Sequence, residues 1–309
     1  MKKVNYIREL ALFHIATLAA VTFADPAFAQ GQTLGQVINN VVNSSSSIPG
    51  LFGGLSYLFG VYLGIVGVLK LREHVESPGN VPIWEPVKKF LTGGAFFALP
   101  TVLEAAYNTV ANGLGDNQIT GFSGQTSGLG LDAMMVKLIS SIWMPMSYLL
   151  GGFGYLAGII LIMVGISRLL KSEQEGPRGP TGLGTLMTFL VGGALIATNK
   201  MMGAFSTSLF DTATVTTKPE LVYDPGLEGA KPHAEAVISA VIAFVAIVGW
   251  ISFLRGFFII RGVAEGNSQA SMMAGLTHLL GGALAVNLGP VLSAVQTTLG
   301  ITDWGIKFS

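Results

Sequence analysis

Half of the 309 residues are hydrophobic and only 11% are charged, with a mean hydropathy of +0.61; soluble domains carry ~25% charged residues, so the composition is that of a polytopic membrane protein. The 17 basic and 17 acidic side chains cancel, so net charge gives no sign of nucleic-acid binding, and none is expected. The absence of cysteine excludes thiolate metal sites, cysteine nucleophiles and disulfides, and it suits a cell-envelope protein.

Residues 1–29 read as a secretory signal peptide. Lys2, Lys3 and Arg8 form a basic start, Leu10 to Phe23 an apolar core closed by Asp25-Pro26, and Ala27-Phe28-Ala29 a small-x-small cleavage site. The alternative is an uncleaved first transmembrane helix. Residues 30–49 form a polar lead in which Leu34, Val37, Ile38, Val41 and Val42 recur at helical spacing. Such a stretch makes either a short amphipathic helix or a loosely ordered terminus.

Residues 50–109 form the unit that organises the chain. Leu51 to Leu69 carries no charge, and at ~1.5 Å per residue it approaches the ~30 Å of a bilayer core. A charged turn follows, with Lys70, Arg72, Glu73, His74 and Glu76, then Pro78, Pro82 and Pro86. Phe90 to Leu103 is again uncharged, which makes a membrane hairpin. A loop rich in Gly, Asn, Ser and Thr leads through residues 110–142 to a second hairpin, 143–205. Its spans run from about Trp143 to Leu169 and from about Leu183 to Phe205. Residues 206–233 are a second outer loop, punctuated by Pro219, Pro225 and Pro232 and expected to be irregular. A third hairpin covers 234–295, and the tail 296–309 carries Trp304 as an interface anchor.

The hairpins recur as a sequence repeat. Gly-Gly-Ala plus a short apolar run appears as Gly93-Gly94-Ala95, Gly192-Gly193-Ala194 and Gly281-Gly282-Ala283, each preceded by a basic residue: Arg72, Lys171 and Arg261. Upstream, Tyr57-Leu58, Gly60, Val66-Gly67 and Lys70 parallel Tyr155-Leu156, Gly158, Val164-Gly165 and Arg168. The third hairpin matches at its anchors only. The glycine doublets, with Gly60, Gly64 and Gly67, are candidate helix-packing positions, since small residues let helix backbones approach. The fold expected is an all-α membrane protein with about six transmembrane helices in three tandem hairpins after a signal peptide.

Basic residues set the orientation. Every arginine after the signal lies in or beside a turn: Arg72, Arg168, Arg178, Arg255 and Arg261. That puts the turns in the cytoplasm and both mature ends in the periplasm of a bacterial inner membrane.

Few residues point to chemistry. Glu73, His74 and Glu76 have ligand types at helical spacing, but no second histidine lies nearby, so no metal or cofactor is expected. Arg255 near the end of the fifth span and His278 within the sixth are candidate intramembrane polar residues. Arg255 can instead snorkel to the interface, and His278 can serve as a hydrogen-bonded packing residue. The sequence contains no carboxylate pair, nucleophile and base, or phosphate loop to suggest an enzyme.

The turn carries a resemblance. Gly53 to Gly64, then Lys70-Leu71-Arg72-Glu73-His74, Glu76-Ser77-Pro78, Pro82 and Pro86 resemble the small hairpin inner-membrane proteins of type IVB (Dot/Icm) secretion and IncI-type conjugation, the IcmC/DotE, IcmD/DotP and TraQ group. The likeness covers residues 50–103. It implies a subunit of a translocation machine that assembles with other membrane subunits, as a homo- or hetero-oligomer, and it carries over no catalytic residue. The turn from Lys70 to Pro86 then becomes a candidate docking surface. A pilin-like hairpin building block and a small-molecule or ion transporter remain as alternatives.

Overall fold

The computed structural model describes residues 33–111, 130–171, 173–211, 215, 219–222, 230–301 and 305–308. The signal peptide, most of the first outer loop and Trp304 lie outside the described residues. The rest is almost wholly helical.

The polar lead forms α1, Leu34–Ser45. Thr33 starts it with a capping box: its hydroxyl accepts from the Gln36 N–H, and the Gln36 side chain accepts from the Thr33 N–H. Long α2, Ile48–Glu76, is followed by α3, Trp84–Phe97, and α4, Leu99–Ala111. The same plan repeats as α5, Leu131–Arg168, α6, Leu183–Ile196, and α7, Thr198–Phe210, and again as α8, Lys231–Ala264, α9, Met272–Val286, and α10, Leu288–Thr298. A 3-10 segment, Glu173–Arg178, sits in the second turn. Two short strands, β1 (Pro219–Leu221) and β2 (Ile306–Phe308), pair antiparallel and tie the second outer loop, expected to be irregular, to the tail.

Each long helix packs on the short helix that follows it, and glycine makes the contact close in all three cases. A Cβ on Gly60 would lie 2.9 Å from the Gly93 carbonyl oxygen; on Gly158, 2.6 Å from that of Gly192; on Gly249, 2.8 Å from that of Gly282. Seven residues on, Gly67, Gly165 and Gly256 face the side chains of Phe90, Phe189 and Leu279. On α2 the buried positions are Ser56, Gly60, Leu63 and Gly67, a 4-3-4 spacing that keeps one stripe against the partner helix. The repeat therefore extends to the third hairpin upstream of its turn.

Three of the expected packing positions are corrected. In the first and third doublets one glycine faces the partner, and its neighbour, ~100° around the helix, points away: nothing lies within 4 Å of a Cβ on Gly94 or Gly281, nor of one on Gly64. In the third doublet the packed residue is Gly282, where Gly93 and Gly192 come first in theirs, so the third repeat is shifted by one. Gly193 is buried.

The second helix of each unit is broken. At Ala98 the axis bends by 79° and at Asn287 by 83°; Ala197 separates α6 from α7. Proline explains two of the breaks. Pro100 and Pro290 lack the N–H that would meet the carbonyls of Phe96 and Val286, and their rings crowd those carbonyls. The Ser56 hydroxyl donates to the Phe96 carbonyl instead. At the third break the Thr198 hydroxyl donates to the Leu195 carbonyl at 2.6 Å. Buried Asn287 closes the last one: its Nδ2 donates to the Ala283 carbonyl at 2.8 Å, and its Oδ1 accepts from the Ser206 hydroxyl of α7 at 2.5 Å.

With 14 residues α3 is about 21 Å long, short of the ~30 Å of a bilayer core, and α6, equally short, reaches spanning length only together with the 3-10 segment before it. The six expected spans are accordingly resolved into four helices long and apolar enough to cross a membrane, or up to six if each bent pair counts as one span. The four are Leu34–Glu76, Ala133–Arg168, Glu175–Ile196 and Lys231–Ala264.

The main core lies where α5, α6, α8 and α9 meet, around Trp143, Leu195, Trp250 and Phe253. The first unit joins it through Leu63, Phe96 and Leu99 against Ile162 and Ile166 of α5. It is the peripheral one: 22% of its most apolar stretch is buried, against 50% for α8. Leu51, Leu58 and Tyr62 all point outward, as side chains facing lipid do.

Candidate functional site

The three turns gather at one end of the bundle, where Lys88 Nζ of α3 reaches the Lys171 carbonyl of the second turn at 3.5 Å. In the first turn α2 stops at Glu76 and α3 starts at Trp84, with Pro78 and Pro82 between them and Pro86 buried inside the first turn of α3. His74 closes this turn, its Nδ1 donating to the Val81 carbonyl at 2.6 Å; that bond selects the Nδ1–H tautomer. Lys70 pairs with Glu73 at 2.7 Å and reaches Glu85 at 3.9 Å, and Arg72 pairs with Glu76 at 2.7 Å. These pairs are solvent-facing, so screening by water leaves them little net contribution. The turn is thus a rigid, exposed shape bearing charge of both signs, with exposed Val75, Ile83 and Trp84 beside it.

The second and third turns hold a site that sequence reasoning missed. Three guanidinium groups converge on one carboxylate, Glu265. Arg168 Nη2 lies 2.7 Å from it, Arg261 Nε 2.6 Å and Arg178 Nε 3.7 Å. Arg168 is buried and also donates through Nη1 to the Thr188 hydroxyl at 3.0 Å and the Gly184 carbonyl at 3.3 Å. The Thr188 hydroxyl, 3.3 Å from Glu265, links α6 to the same cluster. Burial alone would raise the Glu265 carboxyl, but the Arg168 hydrogen bond and the charges of Arg261 and Arg168 outweigh it and hold it below its usual range. In the sequence Arg168, Arg178 and Arg261 served as topology markers, and Arg168 and Arg261 also as anchors of the repeat. Their shared partner lies 97 residues from Arg168, beyond the reach of any local pattern.

The two intramembrane polar candidates are not brought together as a pair. Arg255 is exposed on α8. His278 of α9 bonds instead to the Ser252 hydroxyl, at 2.9 Å from Nδ1. That is the packing role, in which a hydrogen bond between α8 and α9 satisfies both groups.

Among the described residues, the turn end therefore combines a fixed charged hairpin, a partly buried three-arginine cluster and the close glycine contacts that hold them in register. Such an arrangement can present a shaped charged surface and bind anions. Comparison with known proteins finds no matching family model, no matching curated protein and no matching solved structure.

Proposed function

We propose that this chain is a non-enzymatic inner-membrane subunit of a type IV secretion or conjugative transfer apparatus. It crosses the membrane as three tandem hairpins after a cleaved signal peptide, with the turns in the cytoplasm and the mature ends in the periplasm. It works by packing with other membrane subunits, and its first turn is the docking element.

The single observation that carries this reading is the first turn, Lys70 to Pro86, whose charge and proline pattern resembles the hairpin proteins of those machines. Its geometry supports a docking role, because His74 and the three prolines hold the loop rigid while its ionic side chains stay accessible. A rigid loop loses little entropy on binding.

The test is deletion of the gene followed by a donor-to-recipient transfer assay. Complementation uses the intact gene and a version carrying Lys70→Ala and Arg72→Ala. Both pairs are exposed, so the double variant should fold and insert normally. Loss of transfer restored only by the intact gene supports the assignment. Unchanged transfer in the deletion strain refutes it and moves the transporter reading forward. The breaks at Ala98, Ala197 and Asn287 favour that second reading, since transporters bind substrate at broken helices. Against it, the three repeats here share one orientation at their turn end, whereas inverted repeats do not.

A further inference from the structure

We propose that the Arg168, Arg178 and Arg261 cluster, together with the apolar cavity beside it, binds an anionic phospholipid: the guanidinium groups hold its phosphate and the cavity takes an acyl chain. The inference rests on the reading above, in which the turns meet the headgroup region of a membrane leaflet.

Charge is the first observation. Among the described residues three guanidinium groups face one carboxylate, so two positive charges are left uncompensated in a partly buried place. The two left over, Arg261 and Arg178, are the more exposed members, and a phosphate carries the missing charge with the oxygen geometry that arginine pairs best. The division of labour among the three fits this role. Arg168 is 7% exposed and its bonds to Glu265, Thr188 and Gly184 fix it. Arg261 engages Glu265 and Thr188 through Nε, which leaves its terminal nitrogens for another partner. Arg178 is 55% exposed, and 3.7 Å from Glu265 is too long for a hydrogen bond. Arg178 is thus the exposed rim of a site whose floor is Arg168.

The cavity is the second observation. About 450 Å³ of space lies between the second and third turns, lined by Pro177, Leu183, Met187, Val263, Ala264 and Met272 among others. Pro177 directly precedes Arg178, and Ala264 and Gly266 flank Glu265, so the cavity wall and the charged cluster are built on the same two turns. A free phosphate has no use for an apolar cavity of this size, whereas an anionic lipid uses both parts. Basic pockets between membrane helices are where anionic headgroups bind.

The test is native mass spectrometry of the full chain, purified in mild detergent and incubated with phosphatidylglycerol or phosphatidylcholine. Three proteins are compared: the wild type, Arg178→Gln at the rim and Val263→Phe in the cavity. The wild type should retain phosphatidylglycerol in preference to phosphatidylcholine. Removing the Arg178 charge should cut phosphatidylglycerol retention about fivefold and leave phosphatidylcholine unchanged. Filling the cavity should also reduce phosphatidylglycerol retention, and millimolar inorganic phosphate should not displace the lipid. Equal retention of both lipids, or wild-type retention by Arg178→Gln, overturns the proposal. Displacement by inorganic phosphate, equal in wild type and Val263→Phe, also overturns it, because the site would then be one for free anions. The outcomes separate from those of the transfer assay: lipid selectivity with unaffected transfer leaves this site standing and removes the secretion reading, and the reverse pattern removes this site alone.

Discussion

Substituting Gly158 by alanine tests the contact on which the repeated unit depends. The new Cβ would stand 2.6 Å from the Gly192 carbonyl oxygen, 2.6 Å from Ile196 Cγ1 and 3.0 Å from the Ile196 nitrogen. Ile196 can change rotamer, but the carbonyl belongs to the α6 backbone and cannot. Reaching even the 3.0–3.4 Å of tight real contacts requires α5 and α6 to separate by roughly 0.4 to 0.8 Å, and overpacking of this kind costs about 1–3 kcal/mol. Gly94→Ala is the matched control: nothing lies within 4 Å of its Cβ, so the exchange should be neutral or gain up to ~1 kcal/mol of helix propensity. Unfolding of the purified protein by titration with sodium dodecyl sulfate, followed by circular dichroism, should separate the two variants by about 1–3 kcal/mol, because the propensity gain is common to both. Gly60→Ala, at 2.9 Å from its carbonyl, should fall between them. If Gly158→Ala proves as stable as Gly94→Ala, the close glycine packing assigned to the hairpins is wrong.

Glu265→Gln should destabilise the chain by about 3–5 kcal/mol, because buried Arg168 loses its counter-charge; the same titration measures it. The effect carries a pH signature. The Glu265 carboxyl is held below its usual 4.5, so its contribution is fully present above about pH 4.5 and is lost as pH falls through the lower folded-state value. Stability measured from pH 7 down to pH 3 should fall more steeply for wild type than for Glu265→Gln. Ser206→Ala removes the donor to buried Asn287 and should cost about 1–3 kcal/mol; an unaltered midpoint would show that the last break needs no such closure. Arg72→Ala breaks only an exposed pair and should change stability by less than ~1 kcal/mol, so any loss of transfer it causes reports docking and not misfolding.

The parts of the fold that local sequence writes plainly were legible. Uncharged runs marked the long helices, although α5 begins at Leu131, twelve residues inside the loop expected to run to residue 142, and the run of prolines from Pro78 to Pro86 bounded the first turn within a residue or two of where α2 ends and α3 begins. Helix breaks were less visible. Pro100 and Pro290 could have signalled two of them, but the third, at Ala197, depends on Thr198 capping a carbonyl and has no proline to announce it. The Gly-Gly-Ala repeat misled by one residue in the third hairpin, because a doublet does not say which glycine faces the partner. That slip hid the upstream match of Gly249 and Gly256 to Gly60 and Gly67. The arginine cluster was out of reach for a different reason: Arg261 and Glu265 are four residues apart, but Arg168 and Arg178 are brought to them only by the packing of the second unit on the third.

The architecture is tested most directly by cysteine accessibility, for which a chain without native cysteine is suited. Single substitutions Ser77→Cys, Thr181→Cys and Ser268→Cys place a thiol in each turn, and Thr109→Cys and Thr298→Cys place one at the far ends of the first and last units. In intact cells with a permeabilised outer membrane, a membrane-impermeant maleimide should label the two far-end thiols and spare all three turn thiols, which react only after lysis. Labelling of any turn thiol in intact cells would contradict three hairpins turning together on the cytoplasmic side.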